Sequence, residues 1–190
     1  MTKEISCFKA YDVRGRIPSE LNEDVAYRIG AGVASYFGAE SVVVGYDVRP
    51  SSIDILNALT KGINSKGAKV YSIGLCGTEE IYFATNHLNT DAGVMITASH
   101  NPADYNGLKI VGKGAKPVSM DSGLDEIKKI AEALELGMAD LEIVREWEEA
   151  KISQPNIAPP SRSSGGRRFR RAHVPRRGRG CGDGPRAGAQ

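Results

Sequence analysis

The sequence predicts an α/β protein, a three-layer α/β/α sandwich around a mostly parallel mixed sheet. Two observations predict it. Short apolar runs rich in β-branched residues, SVVVGY (41–46), AKVYSIG (68–74) and AGVMITA (92–98), are each bounded by Gly, Asp or Asn, as buried strands are. Between these runs the apolar residues recur every three or four positions, the period of an amphipathic helix. Strands alternating with helices need crossover connections, which give parallel strands covered on both faces.

The elements follow in order. Val25, Ile29, Val33 and Phe37 mark the first helix, and Gly38 is placed to close it as a C-cap. The run 41–46 is the strand behind it. Ile53, Leu56, Leu59 and Ile63 form the stripe of a second helix, with Ser51 or Ser52 as N-cap and Gly67 near its end. After the strand 68–74, Thr78 is a candidate cap for a helix through EEIYFATNHL, whose two glutamates suit the positive end of the helix dipole. His87 falls at the other end of that helix, where a polar or positive group is suited without further function. The strand 92–98 is followed by a loop and by GLKIVG (107–112), a further strand. Leu124, Ile127, Ile130, Ala131 and Leu134 stripe a fourth helix, and ADLEIVREWEEAK continues as a polar helical stretch with Trp147 as a packing anchor.

The 190 residues are 41% apolar and 25% charged, ordinary for a globular protein. The net charge of +2 hides two unlike parts: residues 1–150 hold 15 Lys+Arg against 22 Asp+Glu, and residues 151–190 hold 10 Lys+Arg against Asp183 alone. We therefore divide the chain into an acidic folded domain, 1–150, and a tail, 151–190. The tail has no hydrophobic period, is dominated by Arg, Gly and Pro, and is expected to be disordered. Residues 161–190 contain 9 Arg and no Lys, whereas residues 1–150 contain 10 Lys and 5 Arg. That composition is what GC-rich DNA yields in a wrong frame, and a frameshift is the expected origin. An evolved basic arm whose arginines bind nucleic acid in a salt-sensitive, sequence-independent way is the alternative, whereas nucleic-acid retention by a frameshifted tail would be incidental. Cys7, Cys76 and Cys181 show neither CxxC spacing nor histidine pairing, which argues against a zinc site or disulfide framework and for reduced thiols. No apolar run approaches a membrane span and no signal peptide opens the chain, so a soluble cytoplasmic protein is expected.

The chemistry concentrates in TASHNPADYNGLK (97–109). In open α/β sheets ligands bind beyond the carboxyl ends of the strands. Here the strand runs out at Ala98, and Ser99 is the first residue of a loop tightened by Pro102, Asn106 and Gly107. A serine so presented can act as a nucleophile or carry a phosphate. A hydrolase triad is disfavoured: there is no GxSxG elbow, and His100, adjacent to Ser99, would point to the opposite side of an extended backbone. A plain surface turn is the bland alternative, and the tetrapeptide SHNP alone would not exclude it.

Read at full length, TASHNPADYNGLK resembles the phosphoserine loop of the α-D-phosphohexomutases. FKAYDVRG (8–15) resembles the N-terminal signature of that family, GYDVRPSS (45–52) its second glycine–aspartate–arginine segment, and CGTEEIYFAT (76–85) its bacterial phosphomannomutase branch. The resemblance runs from about residue 5 to 150 and covers the first of the family's four domains.

The resemblance implies a phosphohexomutase acting on mannose or glucose phosphates in carbohydrate metabolism. It converts mannose 6-phosphate to mannose 1-phosphate through a phosphoserine and a hexose 1,6-bisphosphate that also serves as activator. It implies Ser99 as the phosphorylated group and one Mg²⁺ ligand, and Arg14 and Lys109 as cations beside the transferring phosphate. His100 would assist binding or proton transfer, and Tyr11 would shape the substrate wall. The magnesium aspartates, the sugar-selecting loop and the phosphate clamp belong to the other domains of the family, so little activity is expected of this chain alone. Each residue also has a plainer reading. Arg14 and Arg49 pair with Asp12 and Asp47 in structural turns, Lys109 faces solvent by strand alternation, and Tyr11 is packing.

Overall fold

The structure, a computed structural model, describes residues 4–134. The expectations about the polar stretch after 134, Trp147, Cys181 and the basic tail lie outside the described residues.

Five strands pair in the order β1-β5-β4-β2-β3, and a short sixth adds to β5. They are β1 (Val13–Arg16), β2 (Ser41–Tyr46), β3 (Lys69–Leu75), β4 (Ala92–Ile96), β5 (Tyr105–Gly112) and β6 (Lys116–Pro117). β2 runs parallel to both β3 and β4, while β5 lies antiparallel to β4, β1 and β6. The helices are α1 (Glu23–Phe37), α2 (Ser52–Asn64), α3 (Thr78–His87) and α4 (Leu124–Ala133). The sequence reading located β2 to β5 and all four helices to within a few residues. It missed β1, four residues of which two are arginines and one is glycine, too short for alternation to show.

Strand alternation sorts the core into two layers. Val42, Val44, Val94, Ile96, Leu108 and Ile110 face α1, α2 and α4, whose Ile29, Ile55, Leu59, Ile63 and Ile127 are buried against them. On the opposite face Met95 and Val111 pack with Ile81 of α3. The sheet thus has helices on both faces, and the α/β fold with a mixed sheet stands.

Local chemistry sets the helix ends. Asn22 caps α1, its Oδ1 accepting the Val25 N–H at 3.0 Å, and Gly38 at φ 54° closes the helix as expected. Three expectations are corrected. Thr78 is the first residue of α3; the cap position is Gly77, whose N–H donates to Glu80 Oε2 at 2.6 Å. In α2, Ile53 is 43% exposed and Ile55 takes its place in the core, because the buried face is turned toward α1. Ser51 stands at the N-cap of α2 without a capping bond, and Ser52 is already inside the helix. Their hydroxyls are committed elsewhere, to the loop described below. No helix among the described residues is long and apolar enough to cross a membrane.

Candidate functional site

The strand order creates the site. From β2 the chain passes through α2 to β3 on one side, then through α3 to β4 on the other side of β2. Between β2 and β4 the direction of winding reverses, and open sheets gather ligands at the carboxyl ends of such a pair. Two loops meet there, residues 47–51 after β2 and residues 97–104 after β4. Asp47 ties them at their roots, its N–H donating to Ile96 O at 3.0 Å.

Ser99 is exposed, and its backbone lies in the left-handed region at φ 54°. A non-glycine residue there is uncommon and costs on the order of 1–3 kcal/mol, so the surrounding structure must hold it. Its N–H donates to Thr97 Oγ1 at 2.9 Å, and its carbonyl accepts from Arg49 Nη2 at 3.0 Å. Arg49 reaches further: Nη2 also donates to Asn101 O at 2.6 Å, while Nη1 donates to Pro102 O at 2.7 Å and Tyr105 O at 2.8 Å. The expected pair with Asp47 exists as well, at 3.4 Å from Nε.

Behind the loop Asn106 is fully buried. Its Nδ2 donates to Ser51 Oγ at 2.8 Å and Ser52 Oγ at 3.1 Å, and its Oδ1 accepts the Gly107 N–H at 2.8 Å. Ser52 Oγ in turn donates to Asp47 Oδ1 at 2.8 Å. The loop is therefore built on hydrogen bonds from the segment after β2.

Beside the loop, the neighbouring strands carry charge. Register sets Arg14 opposite Gly107 and Lys109 opposite Met95, which places both side chains on one sheet face. Asp12, two residues before Arg14, shares that face. Its Oδ2 accepts from Arg14 Nε at 2.9 Å and Nη2 at 2.7 Å, and from Lys109 Nζ at 3.3 Å. Asp12 is buried, while the two cations keep 35% and 30% of their side chains open to solvent. One carboxylate against two cations leaves the cluster with a net positive charge partly open to solvent, an arrangement suited to a phosphate.

The structure therefore brings Arg14 and Lys109 together on one carboxylate. The pairing reading of Arg14 and the cationic one turn out to be compatible. Tyr11, next to Asp12, is 80% exposed and packs into no core. His100 is exposed on the same loop as Ser99. His87 lies at the end of α3, its ring stacked on Phe83 at 5.2 Å. Sequence reasoning named Asp12 and Arg49 only as pairing partners. The spacing Asp-x-Arg on a strand places both on one face and was the available signal for the Asp12 cluster. No residue pattern announces a guanidinium bound to carbonyls.

Ser99 by itself offers one oxygen to a cation that takes about six. Among the described residues no three His, Cys, Asp or Glu converge to add to it. The described residues do not fit a magnesium site.

A family model described as phosphoglucomutase/phosphomannomutase, alpha/beta/alpha domain I, matches residues 6–138. A phosphomannomutase of Salmonella typhimurium is 54% identical over 133 residues, 70% of this chain and 29% of that protein. A phosphomannomutase of Klebsiella pneumoniae is 52% identical over 129 residues, 68% of this chain and 82% of that sequence. Among solved structures, a phosphoglucomutase/phosphomannomutase family protein of Burkholderia thailandensis superposes with a TM-score of 0.62 at 35% identity, over 69% of this chain and 30% of that one. The matched stretch spans under a third of the Salmonella relative.

Proposed function

The chain belongs to the phosphoglucomutase/phosphomannomutase family, whose domain I it carries, and from that premise we propose that it performs the phosphoserine half of a hexose-phosphate mutase reaction. The observation that carries this reading is the exposed Ser99, held in the left-handed region just beyond the end of β4, together with the Arg14–Lys109 pair on Asp12 carried by β1 and β5 of the same sheet.

In the proposed cycle a hexose 1,6-bisphosphate loads Ser99. A P–O bond forms to Ser99 Oγ, the bond to the sugar oxygen breaks, and the serine proton ends on that oxygen. In the productive direction phospho-Ser99 meets mannose 6-phosphate. A P–O bond forms to the C1 hydroxyl oxygen, the bond to Oγ breaks, and the hydroxyl proton ends on Oγ, with His100 assisting the transfer from the substrate side. The bisphosphate then turns over and returns its other phosphate to Ser99, leaving mannose 1-phosphate; glucose phosphates are the related substrates. Phosphoryl transfer asks the protein mainly for alignment and charge neutralisation. Arg14 and Lys109 supply the charge, and Tyr11 the wall against which the sugar rests.

Magnesium belongs to this proposal only as a family expectation with Ser99 as one ligand, and no step is assigned to it. The residue range 1–150 is proposed as the phosphoserine-loop domain and 151–190 as a separate tail. Full turnover is assigned to the greater length that the Salmonella relative has beyond the matched stretch. The free thiols of Cys7 and Cys76 support a cytoplasmic setting.

The test is intact and peptide mass spectrometry after incubation with glucose 1,6-bisphosphate and Mg²⁺. One phosphate per chain on Ser99, lost in Ser99→Ala, is the expected result. Phosphate spread over other serines, or none, would overturn the reading.

A further inference from the structure

Arg49 lies on the β2 side of the winding reversal, yet its guanidinium is spent on the loop that follows β4. Its four Nη hydrogens meet the carbonyls of Ser99, Asn101, Pro102 and Tyr105, all between 2.6 and 3.0 Å. Its Nε faces Asp47. The side chain is only 11% exposed. With its donors engaged in this way, the group has little left to offer a phosphate, unlike the third-exposed Arg14.

We propose that Arg49 is the positioning residue of the phosphoserine loop: it holds Ser99 in the left-handed backbone conformation from which Oγ reacts. This rests on the mutase reading of Ser99 given above. The four carbonyls converge on one point and their partial negative charges repel, so the loop can keep this shape only around a cation with several donors. A planar five-donor fork meets the requirement. A lysine, with three donors on a single nitrogen, cannot satisfy four carbonyls and an aspartate together. The fork is itself fixed: Asp47 Oδ1 accepts from Arg49 N–H at 3.1 Å and from Ser52 Oγ at 2.8 Å. Through Ser52 and Asn106 the same network reaches the start of β5. The segment GYDVRPSS thus works as the brace of the serine loop rather than as a surface that touches sugar.

Arg49→Lys and Arg49→Ala test this with two readouts. The first is the rate of Ser99 phosphorylation as a function of glucose 1,6-bisphosphate concentration. We expect both variants to lower the maximal rate at least tenfold with the half-saturating concentration unchanged within twofold, and millimolar guanidinium to restore part of the rate in Arg49→Ala. A raised half-saturating concentration at an unaltered maximal rate would instead make Arg49 a substrate contact and overturn the proposal, as would a lysine variant equal to the parent.

The second readout is deuterium exchange at the Ser99, Asn101 and Tyr105 amides, which are hydrogen-bonded within the loop to Thr97 Oγ1, Ala98 O and Pro102 O. Exchange there should quicken at least tenfold in both variants while β2 and α1 keep parental protection. Unchanged loop exchange, or acceleration throughout the domain, would overturn the clamp. If the parent chain takes up no phosphate, the mutase reading fails, and the exchange measurement still decides the clamp by itself.

Discussion

At Asp12 a single carboxylate oxygen serves both Arg14 and Lys109, and this arrangement decides what each cation is for. Were the pairs purely structural, removing either cation would leave Asp12 with one partner and would cost little else. The cations are one-third exposed, but Asp12 is buried, so losing Arg14 with its two bonds costs on the order of 1–3 kcal/mol, and losing Lys109, at 3.3 Å, about 0–1 kcal/mol. A preorganised positive charge beside a transferring phosphate carries far more weight in the rate, on the order of 10²–10³-fold for one group. Lys109→Ala and Arg14→Ala are therefore expected to slow phosphate uptake by Ser99 about 100-fold, with the denaturant midpoint hardly moved in Lys109→Ala and lowered in Arg14→Ala. Parallel rate and urea-unfolding measurements separate the two. A variant that loses stability but keeps its rate would return that residue to a structural role. On this face Lys109 was legible as part of an expected strand, whereas Arg14 sits on β1, which the pattern did not show, and was reached through the resemblance of FKAYDVRG. Arg49 was half legible: its pair with Asp47 follows from a two-residue spacing, but its carbonyl partners come from a loop some fifty residues away and bear no side-chain signature.

Among the elements, α1 and α2 cross with their backbones in close approach. A Cβ on Gly62 would strike the carbonyl of Tyr27, and one on Gly30 the carbonyl of Leu59. Two opposing effects then bear on Gly62→Ala. Alanine favours helix over glycine by about 1 kcal/mol. Forcing a methyl into packed backbone costs roughly 1–3 kcal/mol, and here the obstacle is main chain that cannot rotate aside. The overlap wins, and a net fall in thermal midpoint of several degrees is expected. The same helix provides a second check. Ile55→Ala should cost about 2–5 kcal/mol, whereas Ile53→Ala, at a largely open position, should cost less than about 1 kcal/mol. Equal effects at the two positions would contradict the observed face of α2. The period itself favours Ile55, which stands four and eight residues before Leu59 and Ile63, whereas Ile53 joins the stripe only through Leu56 at a spacing of three. The approach of α1 then buries that face. Likewise Ser51 and Ser52 read as caps from sequence because serine before a helix usually is one, and the demand of Asn106 and Asp47 for hydroxyl partners overrode that preference.

For the molecule as a whole, the strand–helix alternation was enough to give the α/β class. It said nothing of β5 turning back antiparallel, because a strand's residues do not encode the direction of its neighbour. That return makes β4 and β5 direct neighbours, so the strand that ends at the Ser99 loop is paired with the strand that carries Lys109, and the illegible part of the topology is also the part that frames the candidate site. The same core sets a whole-domain property. Cys7 is fully buried with Ile5, Val13 and Leu21, and burial pushes its thiol from 9.0 up to about 12. A thiol that holds its proton more tightly when folded stabilises the native state fully at pH below 9. As pH rises from 9 toward 12, the unfolded chain releases that proton and the folded one does not, so stability drains by at most about 1.4 kcal/mol per pH unit. Lysines and tyrosines titrate in the same range, and Cys7→Ala removes only the thiol's share. The expected outcome is that the stability of the parent falls more steeply between pH 9 and 11 than that of Cys7→Ala, with native Cys7 unreactive to thiol reagents over the interval. Parallel curves for the two proteins would mean that the thiolate is tolerated in the folded core and that Cys7 is less shielded than its packing indicates.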